Sequence, residues 1–213
     1  MSADVQATLP HRSQGVDEHE IDLDWSQTVR WLRIDFERAL TAIGDRGTPF
    51  KRLYWFLMPQ FQALLWYRIS RWMYLKGWRS PARLVHLACV YWTGAELPPT
   101  ASIGPGCLIG HACGTRIMGR VGARFTVYGD AGIGGGFGEA DVGGGPGLPW
   151  IGDDVTLAVK SMVLGPVRVG DGARLGPGVI VTRDVPGRAS LFNPPPRQML
   201  DEAAPSERPV RQG

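Results

Sequence analysis

Two stretches of this chain repeat with a period of six residues: 97–133, LPPTASIGPGCLIGHACGTRIMGRVGARFTVYGDAGI, and 151–181, IGDDVTLAVKSMVLGPVRVGDGARLGPGVIV. A six-residue period is typical of a parallel β-helix, in which each hexad supplies one short strand and one corner, and three hexads complete a coil. The side chain at the repeating position points into the prism. The period therefore predicts a mainly β chain, a left-handed parallel β-helix. The thirteen positions in this register are Leu97, Ile103, Ile109, Thr115, Val121, Val127, Ile133, Ile151, Leu157, Val163, Val169, Leu175 and Val181.

The part of the chain before the repeats follows a different, helical pattern. Apolar residues from Trp25 to Ile43 recur at spacings of four and three, the period of one helix face, and Asp24 is a candidate N-cap. We therefore expect an N-terminal α-helical domain over 24–95 and a β-helix domain over 96–192. A glycine-rich loop, 134–150, interrupts the repeats and is expected to lie beside the active site. The segment 1–23 is expected to be a disordered tail, and 193–213 a C-terminal cap and tail.

Composition excludes several classes of function. The formal charge of +3 and the absence of an RNA-binding motif argue against nucleic acid. Three cysteines without a CxxC pair argue against a disulfide framework or a structural zinc site, and indicate a reducing compartment. The first twenty residues lack the apolar centre of a secretory signal, and no uncharged apolar run is long enough to span a bilayer. We expect a cytoplasmic protein.

The helical domain is basic and aromatic. Between Arg46 and Ala95 there is no Asp or Glu, whereas eight Lys and Arg residues alternate with Trp and other aromatic residues. Such a face could rest on an anionic membrane. The alternative is that the aromatic residues form core and oligomer contacts and the basic residues form a solvated rim.

His111 is the candidate for chemistry. Of the four histidines it is the only one within the repeats, two residues after Ile109. A side chain with a near-neutral pKa suits proton abstraction from a hydroxyl, although a histidine at an exposed corner can also have no role. Zinc-dependent β-helix enzymes need three histidine ligands, so no metal is expected.

Four segments carry a resemblance to a known family. They are PQFQALLWYRISRWMYLKGW before the repeats, GAELPPTASIGPGCLIGHACG around His111, AGIGGGFG at the start of the loop and VIVTRDVPGRASLFNPPPRQ at the end of the repeats. Over about 31–196 the chain resembles the serine acetyltransferase family and its relatives in polysaccharide biosynthesis. The resemblance implies an acetyl-CoA-dependent O-acetyltransferase that is a homotrimer with active sites between neighbouring β-helices, or a hexamer through the helical half.

The resemblance also implies a role for individual residues. His111 would be the general base and Glu96 the acid that orients it. Gly134 and Gly135 would pass close to the thioester, where a backbone N–H can face the oxyanion. Three further residues would bind the donor: Val159 against pantetheine, Arg174 near a CoA phosphate, and Arg197 in the closing element.

The chain departs from the family pattern where serine is bound. An Asp precedes the catalytic His in serine acetyltransferases, and an Arg-His pair in the loop grips the serine carboxylate; here those positions are Gly110, Gly147 and Leu148. Asp45 is a candidate remnant of the contact with the amino group. Because a zwitterion needs charge partners, we expect a neutral acceptor, a sugar of an exopolysaccharide or envelope glycan. L-serine O-acetylation in cysteine biosynthesis and a non-catalytic scaffold are the alternatives.

Overall fold

A computed structural model describes residues 24–44, 48–136 and 138–195. Within these ranges four helices, α1 (Trp25–Ala42), α2 (Pro49–Leu57), α3 (Pro59–Leu75) and α4 (Arg79–Thr93), precede thirteen short strands. The predicted N-cap of α1 is confirmed, because the Asp24 carboxylate accepts a hydrogen bond from the Gln27 backbone N–H at 2.7 Å. Proline begins both α2 and α3, where a missing N–H costs nothing.

The strands form three parallel sheets, which we call faces 1, 2 and 3 of a prism. Neighbours within a face are separated by one coil, and their order along the prism follows the order of the chain. This is the left-handed parallel β-helix predicted from the period of six. Face 1 contains β1 (Ser102–Ile103), β4 (Arg120–Val121), β7 (Trp150–Ile151) and β10 (Arg168–Val169). Face 2 contains β2 (Leu108–Ile109), β5 (Thr126–Val127), β8 (Thr156–Leu157), β11 (Arg174–Leu175) and β13 (Ser190–Leu191). Face 3 contains β3 (Arg116–Ile117), β6 (Gly132–Gly134), β9 (Met162–Leu164) and β12 (Ile180–Val181).

In each two-residue strand the first side chain points outward and the second points into the prism, where it builds the core. These aliphatic side chains stack in three columns, one per face, and are nearly inaccessible to solvent from Ile103 in the first coil to Leu175 in the fourth. Such close packing in a dry interior supplies most of the stabilisation of a solenoid, since each coil contacts only its neighbours.

One of the thirteen predicted core positions is wrong. The strand residue of β3 that faces the core is Ile117, which pairs with Ile133 of the next coil, and not Thr115. The segment from Ile109 to Ile117 is two residues longer than a hexad, and the segment from Ile117 to Val121 is two residues shorter. These two changes cancel, so the register is restored at Val121. A count of six residues along the sequence therefore does not detect them. Thr115 is still buried, within the longer corner.

A buried ion pair joins the helices to the β-helix. The Arg68 guanidinium of α3 meets the Asp35 carboxylate of α1, with 3.0 Å between Arg68 Nε and Asp35 Oδ2. Arg68 also donates to the backbone carbonyls of Ile103 and Gly104, and Asp35 accepts from the Cys107 N–H. Attraction to Asp35 raises the pKa of Arg68 despite the opposing effect of burial, so the guanidinium stays charged. The helical domain is thereby fixed to the corner between faces 1 and 2.

Candidate active site

His111 lies on the longer corner, between β2 on face 2 and β3 on face 3. Its side chain is exposed, while the backbone beside it is held by two hydrogen bonds: Gly110 N–H donates to Val127 O at 2.8 Å, and the Thr115 hydroxyl donates to His111 O at 2.8 Å. The neighbour in the next coil is Gly129, where an added Cβ would lie 3.1 Å from the His111 Cβ. The corner therefore presents an imidazole to solvent on a rigid backbone. Among the described residues its nitrogens have no hydrogen-bond partner, so one is available to accept a proton.

Glu96 has other partners within the chain. It is bridged to Arg116 at the start of face 3, with 3.5 Å between Glu96 Oε2 and Arg116 Nε. Burial lowers the pKa of His86 on α4, and the nearby Glu96 carboxylate opposes that effect. Among the described residues of one chain, Glu96 and His111 therefore form no hydrogen bond with each other. Their pairing stays a prediction.

Gly134 and Gly135 lie at the other edge of face 3, where β6 ends and the glycine-rich loop begins. A Cβ on Gly134 would meet no atom within 4 Å, whereas one on Gly135 would lie 3.3 Å from Gly147 O in the returning loop. Gly134 O accepts a hydrogen bond from Gly165 N–H at 2.9 Å, which ties this turn to the next coil. The missing side chain at Gly134 leaves open surface on which a ligand can approach the backbone.

The loop itself is held by local contacts. The Asp141 carboxylate accepts hydrogen bonds from the backbone N–H groups of Gly143 and Gly145, and the Arg168 guanidinium of β10 donates to Val142 O. The loop therefore packs back along face 1.

The other predicted donor-binding residues are spread over the prism. Val159 is exposed on the same corner as His111, two coils further along, and its carbonyl accepts from Gly178 N–H at 2.9 Å. Arg174 points outward from β11 on face 2. Asp45 and Arg197 lie outside the described residues. The structure brings Val159 and His111 to one corner, but leaves the two glycines at the opposite edge of face 3.

Two residues next to His111 were missed by reading the sequence. The Tyr128 ring covers Gly110, where an added Cβ would lie 2.5 Å from Tyr128 Cδ1. The Asp130 carboxylate covers Gly114, where an added Cβ would lie 2.1 Å from Asp130 Oδ1. Each bulky residue lies one coil above a glycine. A glycine eighteen residues before an aromatic residue is the signal that could have identified Tyr128, since three hexads make one coil.

Comparisons with known proteins agree with this fold. The family "Bacterial transferase hexapeptide (six repeats)" matches residues 149–183. The serine acetyltransferase of Mycobacterium tuberculosis is 31% identical over 71% of this chain and 65% of its own length, and that of Helicobacter pylori J99 is 32% identical over 61% of this chain and 75% of its own. The crystal structure of native serine acetyltransferase 1 from Entamoeba histolytica is 28% identical, with a TM-score of 0.69 over 82% of this chain and 66% of that one. This chain belongs to the serine acetyltransferase family. It spans just under two thirds of the M. tuberculosis relative.

Membership of the serine acetyltransferase family corrects one expectation. The similar curated proteins bear the name serine acetyltransferase, and not that of a glycan acetyltransferase. The expected sugar acceptor is therefore wrong, and the alternative acceptor, L-serine, is the better supported one. The expectation was argued from the absence of charged residues at Gly110, Gly147 and Leu148, and a linear sequence does not show which side chains the next coil brings to a corner.

Proposed function

We propose that this protein transfers the acetyl group of acetyl-CoA to the hydroxyl of L-serine. The observation that carries the proposal is the exposed His111 on a lengthened corner of a β-helix whose curated relatives are serine acetyltransferases. An imidazole suits this reaction because it accepts a proton near neutral pH and returns it in the same catalytic cycle.

The proposed reaction is direct attack within a ternary complex. His111 takes the proton of the serine hydroxyl as its oxygen bonds to the thioester carbonyl carbon, and a backbone N–H at the turn of Gly134 and Gly135 stabilises the negative charge on the carbonyl oxygen. The carbon–sulfur bond then breaks, and the proton held by His111 passes to the leaving thiolate. Holding both substrates in one geometry supplies much of the rate.

The donor-binding residues suit the parts of CoA. Gly134 carries no side chain and has open space around it, and the exposed Val159 offers an apolar surface for a pantetheine arm. The outward Arg174 can pair with a phosphate. A solved structure described as a serine acetyltransferase complex with CoA shares the fold at 19% identity, with a TM-score of 0.68.

A homotrimer, or a hexamer through the helices, is our proposal for the assembly. It is supported by the separation of His111 from the two glycines across face 3, which an active site between neighbouring prisms would bridge. Sedimentation as a stable monomer would contradict it. The helices also carry an exposed apolar stripe on α4, formed by Leu84, Leu87, Tyr91 and Trp92. This stripe suits a subunit contact. The contact of the basic aromatic helical region with an anionic membrane stays a prediction. No helix in the described ranges is both long and apolar enough to cross a bilayer.

The experiment is a thiol-release assay with acetyl-CoA and L-serine. We expect turnover by the wild-type protein, none with L-alanine, which lacks the hydroxyl, and a rate about 10²- to 10⁴-fold lower for His111→Ala. His86→Ala is the matched control, since it removes the histidine of α4 and should keep measurable turnover. A wild-type protein that releases no thiol with L-serine would refute the acceptor, and an unchanged rate for His111→Ala would refute the mechanism.

A further inference from the structure

Tyr128 forms a wall beside His111. It directly follows β5, one coil above Gly110, and its ring occupies the space in which a Gly110 side chain would lie, with Cδ1 and Cε1 at 2.5 and 2.9 Å from an added Cβ. Gly110 immediately precedes His111 in the chain. The ring is therefore held over the residue that precedes His111, and 39% of Tyr128 remains exposed to solvent. The tyrosine can stay there only because Gly110 has no side chain.

Asp130 occupies the other side of the same corner. Its backbone adopts a left-handed conformation, with φ at 57°, and its N–H donates to Cys113 O at 3.2 Å. This conformation places the carboxylate over Gly114, which follows His111 by three residues. Along the corner the order is Tyr128 over Gly110, Gly129 over His111, and Asp130 over Gly114. His111 thus lies between a position covered by an aromatic ring and a position covered by a carboxylate.

Neither group has a partner within the part of the chain that the structure describes. The Tyr128 hydroxyl makes no hydrogen bond there, and the Asp130 carboxylate makes no ion pair or side-chain hydrogen bond. An aromatic face and an anionic oxygen on one corner attract a small organic cation, through the ring quadrupole and through a charge-assisted hydrogen bond respectively. A primary ammonium has the size and the three donors to use both.

We propose that Tyr128 and Asp130 bind the α-ammonium group of the acceptor and so direct its hydroxyl to His111. This inference rests on the proposed function, and it names the residues that recognise the ammonium group of a zwitterionic acceptor. It also answers the part of the objection to serine that concerns the amino group, since the charge partner absent at Gly110 is supplied by the following coil. A neutral acceptor would leave the Asp130 carboxylate without a role.

The test compares the KM for L-serine in Tyr128→Phe, Tyr128→Ala and Asp130→Asn with that of the wild-type protein. We expect Tyr128→Ala and Asp130→Asn to raise this KM about 3- to 30-fold while kcat changes less than about 3-fold. Tyr128→Phe keeps the ring face and should stay within about 2-fold of wild type. Asp171→Asn removes a carboxylate from the corner between faces 1 and 2, and serves as the matched control with an unchanged KM.

A second measurement uses 3-hydroxypropanoate, which is serine without its amino group. The wild-type protein should prefer L-serine strongly, and Asp130→Asn should reduce that preference mainly through the KM for serine. Serine turnover by the wild-type protein with an unchanged KM in Tyr128→Ala and Asp130→Asn would overturn this inference alone. A loss in Tyr128→Phe equal to that in Tyr128→Ala would overturn the role of the ring face. No serine turnover by the wild-type protein would overturn the proposed function and this inference together.

Discussion

The substitution Asp35→Asn tests how the helices are attached to the β-helix. It replaces one carboxylate oxygen of a side chain that no solvent reaches, and it leaves the Arg68 guanidinium, with 3% of its side chain exposed, without a counterion. Asparagine can still accept the hydrogen bond from Cys107 N–H through its amide oxygen. Its amide N–H₂ group would, however, face the guanidinium donors. The shape of the site is kept while the charge is lost.

The expected cost follows from the burial of the pair. Removing one partner of a buried ion pair typically lowers the free energy of unfolding by about 3–5 kcal/mol, since the remaining charge stays desolvated. In a protein of this size each kcal/mol shifts the thermal midpoint by about 2–4 °C, so the loss should be about 6–20 °C. The hydrogen bonds of Arg68 to the carbonyls of Ile103 and Gly104 cannot replace a counterion, because carbonyl oxygens carry only partial charge.

Glu37→Gln is the matched control for this measurement. It is the same carboxylate-to-amide change on the same helix, but the Glu37 and Arg52 side chains are 61% and 40% exposed. An exposed pair contributes about 0–1 kcal/mol, so the midpoint should hardly move. Far-ultraviolet circular dichroism, which follows the loss of helix, measures the unfolding of both variants against temperature and urea. A loss for Asp35→Asn within about 1 kcal/mol of the control would refute the reasoning.

Two further predictions concern the thiols and the glycines. Burial, with the nearby Asp35 carboxylate, raises the pKa of Cys107 to about 12, and burial also raises the pKa of Cys89, whereas Cys113 is exposed. Iodoacetamide at mildly alkaline pH should therefore modify one thiol per native chain and three after denaturation, as counted by mass spectrometry. A second thiol that reacts rapidly in the native protein would contradict the burial of Cys89 and Cys107. Gly104→Ala places its Cβ 2.6 Å from the Gly122 backbone and should lower the free energy of unfolding by about 1–3 kcal/mol. Gly134→Ala, whose Cβ has no atom within 4 Å, should lower it by less than about 0.5 kcal/mol. Equal midpoints of the two variants in urea would contradict this packing.

The fold could be predicted because its core repeats. Ile103, Val121, Ile151 and Val169 fall on face 1 and are all buried, and the same spacing holds on face 2. A periodic pattern of aliphatic residues reports directly on which side chains face the interior. The position of Thr115 could not be predicted in the same way, because a longer corner and a shorter one cancel in any count of residues.

The candidate site was only partly readable from the sequence. His111 was recognisable by its type and by the motif around it, whereas the surroundings of His111 depend on which residues of the next coil lie above it. Tyr128 lies over Gly110 at a separation of eighteen residues, the length of an ordinary coil. Asp130 lies over Gly114 at a separation of sixteen, since the longer corner displaces the register by two. A count in hexads finds the first pair and misses the second.

The two extra residues of the longer corner follow His111, because Gly129 lies over His111 at the ordinary separation of eighteen residues and Asp130 lies over Gly114 at sixteen. Pairing with β5 and β6 of the next coil fixes β2 and β3, so the two extra residues between them lengthen the corner without moving either strand. The shorter corner after β3 restores the register, and Gly119 makes it possible by adopting a φ of 86° that other residues rarely reach. An added Cβ at Gly119 would also lie 2.6 Å from Pro149 O, at the end of the glycine-rich loop. The tight corner and the end of the glycine-rich loop therefore constrain one another, and the rigid prism holds His111 between the positions that Tyr128 and Asp130 of the following coil cover.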